Sequence, residues 1–377
     1  MEVGVLANNS APAQGAITLE VLAARDGDCL LLSCPTPGGT WRLLVDTGRE
    51  ETWPVLRNRL SEIPFDEKGR RHIDLVIVSH IDVDHIGATR SLFGDQALGL
   101  SFGDVWFNGR HHLERGVAEG ETLSELLSAP DRPLPWNKSF RGSRVATPCD
   151  RKFFEITPLS GYPRITLLSP TPERLAQLLP VWDAELKRLR CHESNTEEER
   201  EASITQFPDL DVLAAHKSRP DGSPTNGSSI AILLEHQGAS ILLAADAFAT
   251  DLGISLLELA EHRGLQHPLR VDAFKLSHHG SRANLKSELL GAVEAKHYVI
   301  STDGGHRLPN DEALARVVLY GGDVPALWFN YATERNLRWG DEALQTKSHK
   351  FETHFPNKLD QGVMVVCRPT VAGGGNR

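Results

Sequence analysis

The chain of 377 residues has no apolar run long enough to cross a membrane, which takes ~18 or more consecutive apolar residues. Its first fifteen residues lack the cationic stretch and apolar segment of a secretory signal. These two absences argue against a membrane-spanning or secreted protein. They predict a cytoplasmic protein that has no membrane partner.

Cysteine is scarce, and positive charge is in deficit. The five cysteines, at positions 29, 34, 149, 191 and 367, form no Cys-x-x-Cys pair, so we expect reduced thiols in a cytosolic protein. The net charge is −10, and residues 193–201 alone carry five carboxylates. Proteins that bind long duplex DNA through its phosphates are usually basic. The negative net charge therefore argues against long duplex DNA as a partner, but it does not exclude other phosphoesters as substrates.

One short motif carries most of the chemical information. His80, Asp82, Asp84 and His85 directly follow the apolar run of residues 75–78, which is typical of a buried strand. Imidazoles and carboxylates are ligands that divalent cations take in proteins. His80 and Asp82 share one side of an extended backbone, and a turn after them lets Asp84 and His85 face a second ion. The motif predicts a metal site.

This motif resembles the His-x-His-x-Asp-His signature of the metallo-β-lactamase fold superfamily, with Asp82 in place of the second His. The variant is similar to one branch of that superfamily, which includes the metallo-β-lactamase-like domain of the DNA-uptake protein ComEC. Residues 274–281 resemble a further signature of that branch, Leu-Lys-x-x-His-His-Gly-Ser. Other segments that resemble family elements, in the family's order, are residues 27–32, 43–48, 226–229, 242–247, 299–301 and 305–309.

The resemblance implies a centre of two divalent metal ions, Zn²⁺ or Mn²⁺. The candidate ligands are His80, Asp82, Asp84, His85, Asp246, His278, His279 and His306. Asp84, His278 and His279 are also the candidate catalytic residues, and Asn226 and Ser228 are the candidate substrate-binding residues. We interpret Asp46 as a group that orients a metal ligand. Asp246 ends an apolar strand and could bridge both ions, since a carboxylate has two oxygens.

Two questions about the histidines stay open at this stage. An extended chain alternates its faces, so only one of His278 and His279 is expected to ligate while the other contacts substrate. The sequence does not say which one does so. The superfamily usually has another ligating His, for which His111 and His112 are the alternative to the pair at 278 and 279.

The order of elements predicts an α/β fold, a four-layer αββα sandwich with the metal ligands on loops at one sheet edge. Strands are expected over residues 17–24, 28–34, 41–46, 75–79, 103–108, 165–169, 229–235 and 240–245, and helices over 256–263, 286–292 and 311–319. We expect one domain over residues 16–368, with insertions near 112–160 and 180–225. Residues 1–15 and 369–377 are predicted to be flexible.

These inferences together predict a binuclear metal-dependent hydrolase, specifically a phosphodiesterase or nuclease in which the ions activate a water molecule. Its expected partner is a phosphoester substrate, with nucleic acid as one option. One alternative is the hydrolysis of a small phosphoester or lactone. Another is a non-catalytic module that metal ions stabilise. The oligomeric state stays open.

Overall fold

Two β-sheets form the centre of the computed structural model, which describes residues 16–113, 122–130, 133–156, 159–182, 209–347, 350–358 and 361–368. The strands are β1 (Ile17–Val21), β2 (Leu30–Thr36), β3 (Gly39–Val45), β4 (Arg71–Ile77), β5 (Leu100–Trp106), β6 (Phe154–Ile156), β7 (Arg164–Ser169), β8 (Ala231–His236), β9 (Ala239–Leu243), β10 (Leu269–Lys275), β11 (Val293–Ile300), β12 (Ala326–Phe329), β13 (Glu352–His354) and β14 (Val363–Cys367).

Helices connect and cover these strands. Within the described residues they are α1 (Trp53–Ser61), α2 (Val83–Ile86), α3 (Thr89–Gly94), α4 (Arg110–Leu113), α5 (Thr122–Leu127), α6 (Pro172–Leu178), α7 (Leu210–Ala215), α8 (Pro224–Gly227), α9 (Ala249–His262), α10 (Ser287–Ala292), α11 (Asp311–Tyr320), α12 (Glu334–Leu337) and α13 (Glu342–Lys347). In α9, the buried Leu252, Leu256 and Leu259 recur at helical spacing and therefore give one apolar face.

Each sheet changes from antiparallel to parallel pairing along its width. The first sheet has the order β14-β1-β2-β3-β4-β5, and its last three strands run parallel. The second has the order β13-β12-β11-β10-β9-β8-β7-β6, in which β9 to β13 run parallel. Parallel strands end at one common edge of a sheet. The loops that follow β3, β4 and β5, and those that follow β9, β10 and β11, are therefore brought together at these edges.

Three apolar layers separate four layers of structure, which confirms the predicted αββα sandwich. One core lies between the sheets, and the other two lie between each sheet and its helices. Strand β4 shows the reason for the continuous apolar run: Leu75 and Ile77 face the inter-sheet core, whereas Val76 faces the helices. A strand that is covered on both faces needs apolar side chains on both.

The predicted elements are present, with shifted ends. Helix α9 begins at Ala249, earlier than expected, and β4 begins at Arg71. The first hairpin pairs Thr36 with Gly39, so β2 and β3 extend beyond the expected strand limits at residues 34 and 41. The hairpin between β8 and β9 turns at Gln237 and Gly238, both of which have positive φ, as a two-residue hairpin turn requires.

Several expectations fall on residues that the structure does not describe. These are the termini, 1–15 and 369–377, and parts of both expected insertions, 114–121, 131–132, 157–158 and 183–208. The domain limits therefore stay predictions. Cys29, Cys34, Cys149 and Cys367 are free thiols. Within the described residues, no helix combines the length and the apolarity that a membrane span needs.

Candidate metal centre

The candidate ligands from two distant parts of the chain meet at the carboxyl ends of the central strands. His80 and Asp84 follow β4 in the first sheet, and Asp246 follows β9 in the second. His278 and His279 follow β10, the neighbour of β9. The cluster is therefore built by both sheets and sits where their parallel strands end.

Asp246 is almost fully buried, and one of its oxygens faces His80 and His278. Its Oδ2 lies 3.9 Å from His80 Nε2 and 3.7 Å from His278 Nε2. His80 Nε2 is also 3.6 Å from Asp82 Oδ2. Ligand atoms bonded at ~2.1 Å to one tetrahedral cation lie ~3.4 Å apart. These separations are close to that spacing, so this half of the cluster fits one ion.

The other oxygen of Asp246 faces a second group of ligands. Its Oδ1 lies 3.4 Å from His85 Nε2 and 3.8 Å from His279 Nε2. Asp84 Oδ2 lies 3.6 Å from His85 Nε2 and 3.4 Å from His279 Nε2. These separations are also close to the ~3.4 Å between atoms bound to one tetrahedral cation, so this half of the cluster fits one ion as well. Asp246 therefore stands between two sets of ligand atoms, with one carboxylate oxygen toward each.

Several atoms of the cluster are buried without a hydrogen-bond partner. They are Nε2 of His80, His85 and His279, and Oδ1 of Asp246. Unsatisfied buried polar atoms are costly, and in a native structure they call for an explanation such as an ion. The donor set of imidazole nitrogens and carboxylate oxygens is one that divalent cations take. The residues therefore fit a metal centre.

The opposite ring nitrogens are held by the protein. Asp46 Oδ2 lies 2.8 Å from His85 Nδ1, and the two oxygens of Asp46 also accept from Ser79 N and Ser79 Oγ, both at 2.7 Å. Ser79 Oγ lies 3.0 Å from His80 Nδ1. A partner at Nδ1 fixes the ring and leaves Nε2 for the ion. Asp46 thus contacts the Nδ1 side of His85, on the far side of the ring from Nε2.

The turn after β10 brings both neighbouring imidazoles inward. His278 has φ 48° and His279 has φ 54°, so both residues are left-handed, and His278 N donates to Ala245 O at 2.9 Å. Face alternation applies to an extended chain, and this chain is not extended here. The turn therefore directs Nε2 of both rings toward Asp246, and the expectation that only one of them ligates stays a prediction.

The charges of the cluster act strongly on one another. Burial lowers the pKa of His279, but the carboxylates of Asp28 and Asp246 outweigh it and raise the pKa to about 10. Burial also disfavours the charged form of His85, yet Asp246 and Asp84 raise its pKa well above its usual value. Conversely, the imidazoles hold the pKa of Asp246 well below its usual range in spite of burial. Negative charge therefore dominates around these rings.

The two candidate substrate-binding residues are buried supports. Asn226 donates from Nδ2 to Asp221 Oδ2 at 2.8 Å, and this amide nitrogen is 3.3 Å from His278 Nδ1. Ser228 Oγ donates to Thr225 O at 2.6 Å, inside its own turn. Neither side chain is more than 4% exposed. The described contacts of Asn226 therefore support Asp221 and His278, and that of Ser228 stays within its own turn.

The remaining histidine candidates lie outside the two groups of ligands. The His306 side chain is 70% exposed, and its Nε2 lies 3.5 Å from Asp26 Oδ2. The geometry therefore gives no support to His306 as a ligand. His112 packs edge-on against Trp136, and its Nδ1 accepts from Gly109 N at 3.1 Å. The side chain of His111 lies outside the described residues.

Sequence reasoning missed several polar residues in and around the cluster, among them Ser79 and the four described next. Asp28 and Lys275 form a buried ion pair beside His279, and Asp221 and Asn284 contact His278 Nδ1 at 3.4 and 3.0 Å. Asp28 and Lys275 both lie in segments that carried the family resemblance, so a signal existed for them. Asp221 lies in a segment with the composition of a loop, and nothing local distinguishes it.

Comparison with known proteins agrees with this geometry. A model described as Metallo-beta-lactamase superfamily matches residues 25–95, which include the motif at 80–85. ComE operon protein 3 of Bacillus subtilis (strain 168) is 22% identical over 306 residues. The match covers 77% of this chain but only 29% of that protein. The chain thus spans less than a third of the length of this relative.

Solved structures with a similar course of the chain include two bacterial proteins. The metallo-beta-lactamase fold protein YhfI of Bacillus subtilis is 13% identical, with a TM-score of 0.41 and coverage of 94% of this chain and 100% of that one. Zn²⁺-bound PqqB of Methylobacterium extorquens is 13% identical, with a TM-score of 0.41 and coverage of 93% and 99%. Similarity at this level gives no information about substrate.

Proposed function

Since the chain belongs to the metallo-β-lactamase superfamily and has ComEC-like relatives, we propose that it is a binuclear metal-dependent hydrolase that cleaves phosphodiesters. The observation that carries the proposal is the two-sided environment of Asp246. Each of its oxygens faces a separate set of imidazole nitrogens and carboxylate oxygens. Three of those nitrogens are buried and have no hydrogen-bond partner.

The ligands would divide between two ions. His80, Asp82 and His278 would hold one, Asp84, His85 and His279 the other, with Asp246 shared. When bound, such ions supply an activated water as nucleophile and neutralise negative charge on the phosphoryl oxygens.

The protein's own residues define the side from which substrate approaches. The rings of His80 and His85 are fully buried, whereas the side chains of Asp82, Asp84 and His278 are 19, 21 and 31% exposed. These three side chains therefore line the solvent-exposed side of the cluster. The buried imidazoles form the closed floor and exclude water from behind it.

Two features of the chain support a phosphodiester as substrate. Asp82 offers an anionic oxygen where the family motif has an imidazole, which would make an ion held there a weaker Lewis acid, better suited to holding phosphate oxygens than to generating hydroxide. The charged form of the His306 imidazole is favoured, since its hydrogen bond with Asp26 raises its pKa and Asp84 adds to this effect. We propose that its exposed ring contacts a substrate phosphate. The proposal includes a cytoplasmic location, which the free thiols support.

The test is turnover by the metal-loaded full chain. Single-stranded DNA, duplex DNA, RNA and bis(p-nitrophenyl) phosphate are offered beside p-nitrophenyl phosphate and a lactone. We expect phosphodiester cleavage that chelator abolishes and that Asp84→Asn reduces at least about a hundredfold. Asp150→Asn, which changes an exposed carboxylate outside the cluster, is the matched control and should keep full activity.

Two other results would each favour one of the alternative functions. Turnover of the monoester or the lactone alone would replace the phosphodiesterase with a small-molecule hydrolase. Tight binding of metal without turnover of any substrate class would favour a non-catalytic module that metal ions stabilise.

A further inference from the structure

A lysine is fully buried between the sheets, close to the candidate metal centre. Lys275 is the last residue of β10 and has no exposed surface. Its Nζ donates to Asp28 Oδ2 at 2.5 Å, and Asp28 is only 1% exposed. Asp28 precedes β2 of the first sheet, so the ion pair joins the two sheets. A buried charge without its partner costs several kcal/mol, so each member of such a pair depends on the other.

The free oxygen of the same carboxylate faces a candidate metal ligand. Asp28 Oδ1 lies 3.4 Å from His279 Nδ1 and is buried without a hydrogen bond of its own. That Nδ1 also lies 2.8 Å from Ser301 O. On the far side of the ring, His279 Nε2 is 3.4 Å from Asp84 Oδ2. Lys275, Asp28 and His279 thus form a line of contacts that points at the second group of ligands.

The backbone around Asp28 is fixed to the same region. Asp28 N donates to Asp84 O at 3.1 Å, and Ser301 Oγ donates to Gly27 O at 2.8 Å. The loop that carries Asp28 is therefore held by the residues on both sides of His279. What remains to be fixed is the carboxylate itself, and the Lys275 ammonium is its hydrogen-bond donor among the described residues.

We propose that Lys275 and Asp28 are a positioning pair for His279. Lys275 fixes the Asp28 carboxylate, whose Oδ1 faces Nδ1 of His279 at 3.4 Å beside the Ser301 carbonyl that accepts from it, so that Nε2 points toward Asp84 and His85. Neither residue touches substrate or metal. The inference rests on the proposed two-ion centre, but not on the identity of the substrate. Partners behind a ligating imidazole typically change metal affinity by about 10–100-fold.

The test is the affinity of the full chain for Zn²⁺, measured by competition with a chromophoric chelator. Lys275→Met should weaken one of the two ions by about 10–100-fold and leave the other unchanged. The spectrum of the Co²⁺-loaded protein should change for that ion alone. Lys296→Met is the matched control, because Lys296 Nζ pairs with Asp272 at 2.8 Å on the adjacent strands β11 and β10. It should bind both ions as the wild type does.

A second variant covers the case in which Lys275→Met does not fold. The double variant Lys275→Met/Asp28→Asn leaves no unpaired charge between the sheets, and we expect it to fold and still lose affinity for one ion. Wild-type affinity for both ions in this variant or in Lys275→Met would overturn the positioning pair. A wild-type protein that binds no Zn²⁺ would instead overturn the proposed function itself.

Discussion

Replacing Gly27 with alanine should disturb the candidate metal centre by displacing the backbone of Asp84. A methyl group on Gly27 would overlap the carbonyl oxygen of Asp84 and would lie 2.8 Å from its carbonyl carbon and 3.1 Å from its Cα. Carbon atoms in ordinary contact lie ~3.5–4.0 Å apart, so the backbone of Asp84 must move by at least about 0.7 Å. The hydrogen bond from Asp28 N to Asp84 O would be lost with this movement.

The size of the effect follows from these contacts. Overpacking costs about 1–3 kcal/mol and the lost hydrogen bond about 1 kcal/mol. Alanine also reduces the conformational entropy of the unfolded chain, and this offsets about 0.4–1 kcal/mol of the loss in stability. Gly27→Ala should therefore lower the free energy of unfolding by about 1–4 kcal/mol, as measured by urea denaturation. It should also weaken the ion next to Asp84, as measured by chelator competition.

The matched control is another glycine that becomes alanine. Gly291 lies in α10, and a methyl group there would have no neighbouring atom within 4 Å. Gly291→Ala should leave stability and metal content unchanged or slightly improved, because alanine favours helix. If both variants behave alike in unfolding and in metal binding, the close approach of Gly27 to Asp84 does not constrain the site and the reasoning is refuted.

Other changes test the bridge, the choice of metal and the charge of the cluster. Asp246→Ala should lower the content of both ions in elemental analysis, and loss of one ion alone would show that Asp246 is no bridge. The wild type should turn over faster with Mn²⁺ than with Zn²⁺, and Asp82→His should shift this preference toward Zn²⁺; an unchanged ranking contradicts the argument. In chelator-treated protein, the pKa of His279 is raised from 6.5 to about 10. Its contribution to stability is therefore complete below about pH 6.5 and lost as pH rises through about 10. Urea unfolding across this window should show the decline, and His279→Gln should flatten it.

The local sequence pattern was enough to predict a metal site at residues 80–85 and most of the strands around it. In β4 the apolar residues fill both faces, so the strand and the ligands that follow it can be recognised together. Asp46 could be proposed as an orienting group because it ends an apolar strand near the candidate ligands, and the structure places its Oδ2 2.8 Å from His85 Nδ1. The four-layer arrangement followed from the order of strands and helices.

Long-range and strained features could not be predicted in the same way. Left-handed backbone at His278 and His279 is uncommon for residues other than glycine, and it depends on the surrounding structure. The Lys275–Asp28 pair joins residues 247 positions apart, and no local pattern reports such a contact. Ser228 resembled a substrate ligand because its motif did, but its hydroxyl is used by its own turn.

The division of the ligands between the sheets has a consequence for how the centre is made in the cell. Residues 80–85 emerge from the ribosome long before Asp246 and His279, so the nascent first half holds only part of each ligand set. In the proposed two-ion centre, neither ion would be fully enclosed until the second sheet has been synthesised and has docked on the first. Metal loading would therefore be a late event in the maturation of this chain, and bound metal would report that both halves have assembled.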